Sequence, residues 1–345
     1  MNVPRRHHYV PQSHLRRFGH GPGRGLFWAY DKTLDRVVRA KVKGSAQELD
    51  YNAVASPTGL NYEIEGMFAR LEGEAKPIID RLLALPAGAH PLAPHDRADL
   101  SLYIALQHAR APATRAHSDA VAALGGAAQL DMRLSDAEGF RVWARRAGWS
   151  NSDADIEHRR HKLLASLRSG EIGVQPPVGY GLIMTLSASL NALAPRLFAM
   201  SWHIFRRGRF PWLVVGDNPV TKMAPTGLPA NAQQGFATPG IEVMVPFSPT
   251  ELLGLQDVPG DEFIRVHEPD RNAHPSLAHE WNAAANATAW MSAHRRVYGR
   301  SQADLEAVRL SLEPTDRTSR PHLTVANLPH EWKAYTSDEI EIMDT

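Results

Sequence analysis

The residues best suited to chemistry begin with His7 and His8, adjacent imidazoles that can ligate a metal or carry a proton near neutral pH. In an extended segment their side chains point to opposite sides, so only one faces a given pocket; His8 is taken as the catalytic candidate. Pro11 suits the first turn of a short helix running to Phe18 and closed by Gly19, and the free N–H groups of that turn face an anion in the same neighbourhood. Gln12 there either holds a ligand or orients an imidazole. Glu65 and Glu72, seven residues apart, share one helix face; Glu72 is the second catalytic candidate, as base or ligand, while Glu65 reads as part of a solvated stripe. Gln107 and Arg110 lie three apart on a helix that Pro112 must kink or end at Ala111. Arg110 and Arg115 beside that break can clamp a phosphate or carboxylate with Gln107, or cap the negative helix end. Asp217 follows the apolar run Leu213-Val214-Val215 and is the third catalytic candidate, a strand-end carboxylate that can bind a metal or orient a histidine. Asn218 is assigned to substrate, although Asp-Asn-Pro is also ordinary turn chemistry, and Asn286 can bond across to that turn or pack as a buried amide.

The 345 residues contain no cysteine, which excludes disulfides, thiol nucleophiles and thiolate metal sites. A divalent ion, the cofactor expected here, therefore has His7, His8 and Asp217 as its candidate ligands. Phosphate-loop, dinucleotide, HExxH and GxSxG signatures are all missing, so kinase-type and nicotinamide chemistry have no support. The cluster His158-Arg159-Arg160-His161 reads as a solvated helix face. Net charge is +1, yet residues 1–43 hold ten Lys or Arg against Asp31 and Asp35, so they carry +8 and the remainder −7. That asymmetry either attracts nucleic acid or another phosphate-bearing partner, or meets the acidic remainder of the same molecule.

The string His7-His8-Tyr9-Val10-Pro11-Gln12 resembles the opening of a widespread, mostly bacterial family of unknown function typified by HHYVPQ. Further landmarks follow in order: Glu65 and Glu72; Gln107, Arg110, Pro112 and Arg115; Asp217-Asn218-Pro219; Pro246-Phe247-Ser248-Pro249; then Asn286, Ala293 and Val297. The resemblance covers most of the chain and implies motif positions, not an activity. His-His-x-x-Pro also resembles the start of an HNH nuclease finger, but the next histidine after His20 is His90, and Phe18-Gly19 closes the helix too early for such a finger.

These patterns predict an α+β fold, predominantly helical, as a single large domain over 1–315 with a small mixed sheet and a polar, partly mobile tail over 316–345. Within it come a basic entry segment over 1–50 with a short helix and a hairpin at 26–30 and 36–40, and a helical region over 61–200 with helices at 61–85, 94–124, 136–168 and 180–200. A strand-rich region over 201–265 has strands at 202–205, 211–215 and 241–245, and a closing helix occupies 275–298. Gly and Pro clusters near 86–94 and 224–240 read as loops. The N-terminus lacks an apolar leader, and the longest apolar stretch, 182–200, is interrupted by polar residues, so neither export nor membrane spanning is indicated and a cytoplasmic setting is expected. The functional expectation is a metal-assisted hydrolase acting on an anionic substrate, a nuclease or phosphodiesterase. The rivals are a nucleic-acid-binding or regulatory protein and a small-molecule enzyme.

Overall fold

The computed structural model describes residues 5–149, 151–208, 211–225, 235–268 and 277–318. It is an α+β fold in which helix predominates and the largest sheet is mixed. Described residues within Met1–Arg115 and Leu182–Pro321 form one compact unit, and those within Ala116–Gly181 form a second.

The first unit opens with β1 (Arg6–His8), α1 (Gln12–Phe18), β2 (Leu26–Asp31), β3 (Arg36–Lys41), β4 (Gln47–Leu49), β5 (Val54–Ser56) and β6 (Gly59–Asn61). Next come α2 (Glu63–Leu83), β7 (Gly88–Pro91), α3 (Pro94–Ala109) and α4 (Pro112–Ser135), which belongs to the second unit from Ala116 onward. Pro112 cannot donate the hydrogen bond that would continue α3, so the chain breaks at Arg110 and Ala111 and starts a new helix. The second unit takes in α5 (Ala137–Arg146) and α6 (Asp153–Ser169), where the sequence reads as one helix. Gly148, at φ 85°, ends the first. The Ser152 hydroxyl caps the second at Asp155 N.

An apolar helix follows, α7 (Tyr180–Ala188) and α8 (Ala194–Ala199), joined by a π-helical turn at Ser189–Leu193. By length and composition the segment Tyr180–Ala199 could cross a membrane. Here its Leu182, Leu186, Leu193 and Leu197 pack into the main core. Then come β8 (Met200–Arg206), β9 (Val215–Gly216), β10 (Thr221–Met223), β11 (Glu242–Pro246), β12 (Glu251–Pro259), β13 (Phe263–His267), α9 (Leu277–Ser292), β14 (Arg296–Gly299) and α10 (Gln302–Ser311).

A six-stranded sheet has the order β10-β11-β12-β8-β13-β7, antiparallel except where β13 pairs β8. Alternation along its strands sends Trp202, Ile204, Val243, Val245, Leu253, Leu255, Ile264 and Val266 to one face, against α2, α3 and α8. The opposite residues Phe205, Met244 and Leu252 pack against Trp281 and Ala285 of α9. A four-stranded sheet, β3-β2-β14-β9, carries α1 on one face through Leu15, Phe18, Phe27 and Tyr298. On its other face α9 and α10 bury Trp290, Ala293, Leu305 and Val308. Helix α9 thus serves both sheets. Its closeness depends on two glycines: a Cβ at Gly216 would lie 2.7 Å from Ala289 O, and one at Gly254 would lie 2.4 Å from the Trp281 ring.

Several expected elements differ. The strand expected over 211–215 pairs only at Val215–Gly216, because side chains replace the ladder before it: Asp304 Oδ1 accepts from Trp212 N (3.0 Å) and Asn286 Oδ1 from Val214 N (2.9 Å). The Gly/Pro-rich stretch near 86–94 contains β7, an edge strand and therefore tolerant of Pro91. The closing helix stops at Ser292, and β14 and α10 follow it. Part of the expected 224–240 loop, 226–234, and the tail from residue 319 lie outside the described residues.

Two of the imidazoles buried in this framework are strongly shifted by it. Burial pushes His14 down to about 3 and His203 down to about 4. The unfolded chain takes these protons near pH 6.5, before the folded protein does, so their contribution is full above that pH and is lost as pH falls through the window toward 3 or 4. Each contributes at most about 1.4 kcal/mol per pH unit. Urea titrations of wild type and His14→Phe between roughly pH 6.5 and 4.5 should therefore show a shallower loss of stability in the variant; parallel curves would refute the assignment.

Candidate functional site: the His8 corner and a basic cleft

The paired histidines separate as an extended segment requires. His7 is wholly buried, its Nδ1 accepting from Asn52 N (2.9 Å), and Asn52 in turn donates Nδ2–H to Glu65 (2.7 Å). Glu65 is thus an anchor for the entry segment, where a solvated stripe was expected. His8 lies on the other side of β1 and is half-buried. Its ring hydrogen-bonds the Lys43 carbonyl, which places the proton on the nitrogen facing that carbonyl, and Nε2 is buried without a partner. Burial, opposed by Glu72 and Glu65, holds the imidazole below its ordinary value, so the ring is neutral and keeps a lone pair.

Glu72, Gln107 and Arg110 converge with His8. Arg110 ends α3, is 1% exposed, and lies 4.6 Å over the Phe68 ring. Its Nη2 donates to Glu72 (2.7 Å), its Nε to Gln107 (3.4 Å) and its Nη1 to the His8 carbonyl (3.3 Å). Arg115 stands one step farther out, donating to the Tyr51 carbonyl (2.8 Å) while Tyr51 OH donates to the Arg110 carbonyl (2.9 Å). Every nitrogen of Arg110 is engaged inside the protein. The substrate clamp expected at Arg110 is therefore, in this geometry, a clasp between α2, α3 and β1.

Asp217 does not join this group through its carboxylate. Oδ1 accepts from His294 N (2.7 Å), and Oδ2 accepts from Arg295 N (2.7 Å) and Arg296 N (2.8 Å), with the residue 0% exposed. Burial pushes this carboxyl up while the three backbone donors pull it down. Its role is to fix the turn between α9 and β14. Asn218 is also buried, with Oδ1 lacking a partner in the described structure. For the expected divalent ion, His7 Nδ1 and both Asp217 oxygens are already occupied, leaving His8 Nε2. Among the described residues no three His, Asp or Glu side chains are grouped to hold a metal.

Gln12 belongs to a different feature, a cleft of about 850 Å³ between α1, α2 and the Ser248–Glu251 turn. It is lined by Arg16, Arg17, Arg24, Lys76 and Arg300, with Ser13, His20, Ser248 and Thr250, against two acids, Asp80 and Glu251. Both acids are committed: Asp80 to Arg17 (2.8 Å) and Lys76 (2.6 Å), Glu251 to the hydroxyls of Ser248 and Thr250. Arg16, Arg24 and Arg300 are exposed, and among the described residues no carboxylate is in ion-pair contact with them. The charge excess of residues 1–43 signals part of this cleft. Lys76, His20 and Arg300 were not singled out, because nothing in their local sequence links three distant segments.

Residues 6–303 match the model of a family described as proteins of unknown function (DUF4238), and the chain belongs to that family. No curated protein and no solved structure matches the chain significantly.

Two substitutions test the structural roles. Asp217→Asn keeps the shape but turns an NH₂ toward backbone N–H donors; unfolding free energy should fall by about 2–4 kcal/mol, since hydrogen bonds to a charged group contribute about 1.5–3 kcal/mol each. A loss below about 0.5 kcal/mol in urea unfolding, the size of an ordinary surface change, would refute the anchor role. Arg110→Lys keeps the charge without the fork and should cost about 2–4 kcal/mol in the same assay, whereas a clamp for substrate alone would leave stability unchanged.

Proposed function

We propose that this chain binds a phosphate-bearing polyanion, nucleic acid first among them, in the cleft between α1, α2 and the Ser248–Glu251 turn. The observation that carries the reading is the set of three exposed guanidinium groups, Arg16, Arg24 and Arg300, around a cleft whose two acids are already bonded. Guanidinium forks match phosphate geometry bidentately, and Ser13 and Gln12 add neutral polar groups at the same wall. A reducing cytoplasm suits such a partner and a chain without cysteine.

A second reading, hydrolysis of a phosphoester, has one specific observation behind it: the unpartnered Nε2 of His8. Glu72 beside it precedes Lys76 of the cleft wall by one turn of α2, a rise of about 6 Å. In that reading His8 acts as general base on water, and the cleft holds the flanking phosphates.

Fluorescence anisotropy with labelled single-stranded DNA, duplex DNA and RNA across a salt series tests the binding. The affinity should fall with salt, and replacing Arg16, Arg24 and Arg300 by Gln should make the log–log slope shallower by about 2. No retention of any strand at low salt, or an unchanged slope in a folded triple variant, would sink the proposal. Gels of the same samples address hydrolysis: cleavage lost in His8→Gln supports it, and intact strands remove that second reading alone.

A further inference from the structure

The six-stranded sheet carries another group of chemistry-bearing side chains, none of which lines the basic cleft. Alternation along β8 places Ser201, His203 and Phe205 on the face opposite Met200, Trp202 and Ile204, which fill the main core. The parallel neighbour β13 sets Arg265 beside His203 and His267 beside Phe205. His203 Nε2 lies 2.8 Å from Ser201 Oγ, and His203 Nδ1 lies 3.0 Å from His267 Nε2. The rings lie nearly parallel: His203 meets His267 edge to edge across their hydrogen bond (5.2 Å between centroids), both pack by Phe205, and Phe205 packs on Trp281 (4.8 Å).

A serine used only for packing needs one acceptor. Here a hydroxyl, an imidazole and a group that orients the imidazole follow one another in hydrogen-bond contact, the order that activates a serine. Burial keeps both rings neutral, His203 with added repulsion from His267 and Arg265. In the tautomer with the proton on Nδ1, His203 donates to His267, and its Nε2 accepts the Ser201 hydroxyl proton. Exposure rises along the chain of groups, from 7% at Ser201 and 8% at His203 to a half-buried His267, so His267 is the most open of the three, with the aromatic rings of Phe205 and Trp281 beside it.

We propose that Ser201 is a nucleophile with His203 as its base and His267 as a positioning residue, suited to carboxylic esters of small apolar acids. In the reaction Ser201 Oγ bonds to the ester carbonyl carbon as its proton passes to His203 Nε2. Collapse breaks the ester C–O bond, and that proton leaves with the alcohol. Water then repeats the step with His203 as base, releasing the acid and restoring the serine. The site is independent of the anion-binding cleft.

The test is labelling of the full chain with an alkyl fluorophosphonate, which forms an O–P bond with an activated serine and releases fluoride, followed by peptide mapping and by hydrolysis of 4-nitrophenyl acetate. Wild type should give an adduct on Ser201 that Ser201→Ala lacks. His203→Gln should slow labelling by about 10²-fold or more, the usual contribution of a general base. His267→Gln, whose amide oxygen can still accept from His203, should retain labelling and ester turnover, whereas His267→Phe should lose both. Melting curves identify which variants are folded. Absence of a Ser201 adduct on wild type overturns the proposal, as does a folded His203→Gln that labels at the wild-type rate. If His203→Gln does not fold, equal labelling of the two His267 variants overturns the relay.

Discussion

The carboxylate of Asp217 is the constraint on which the first unit turns. It follows β9, is fully buried, and accepts the three backbone N–H groups of His294, Arg295 and Arg296. Those donors belong to the turn after α9 and to the first residue of β14, so one side chain fixes how the chain passes from a helix to the strand that follows it. Gly216, immediately before it, lets α9 lie against β9, and Gly254 does the same for β12. An uncompensated buried carboxylate would cost several kcal/mol; here the compensation comes from backbone groups that have no helical partner of their own.

The fold was legible where periodicity and local stereochemistry decide structure. The helix over Glu63–Leu83 follows from the spacing of Phe68, Leu71, Ala75, Ile78 and Ile79, and the hairpin over 26–41 from two runs of β-formers around Asp31–Asp35. The break at Arg110 follows from Pro112. What was not legible depends on partners remote in sequence. Residues 212–214 look like a strand by composition, yet Asn286 and Asp304, more than 70 residues later, take the place of a neighbouring strand. The apolar Val297 and Tyr298 read as the end of a helix because only pairing with β2 and β9 makes them a strand.

The candidate residues divide along the same line. His8, Glu72, Gln107 and Arg110 meet, as their helical spacing and the Pro112 break allow, but the meeting satisfies Arg110 within the protein and leaves His8 Nε2 as its free chemical function. Asp217 carried two meanings in sequence, a strand-end ligand or a turn former. Its three backbone donors, 77 to 79 residues away, correspond to neither: the carboxylate anchors a remote turn rather than its own. The cleft depends on Arg16 and Arg24, Lys76, and Arg300, which come from three separate segments, and no local pattern registers that convergence.

Sharing α9 between two sheets has a consequence for recognition. The α1 wall of the cleft rests on the four-stranded sheet, and its other walls, α2 and the Ser248–Glu251 turn, rest on the six-stranded one. The width between them is set by how α9 keys the sheets together, before any ligand arrives. On the proposed reading, a phosphate chain would meet cleft walls already placed by folding, and association would be left to order the outer ends of the arginine side chains.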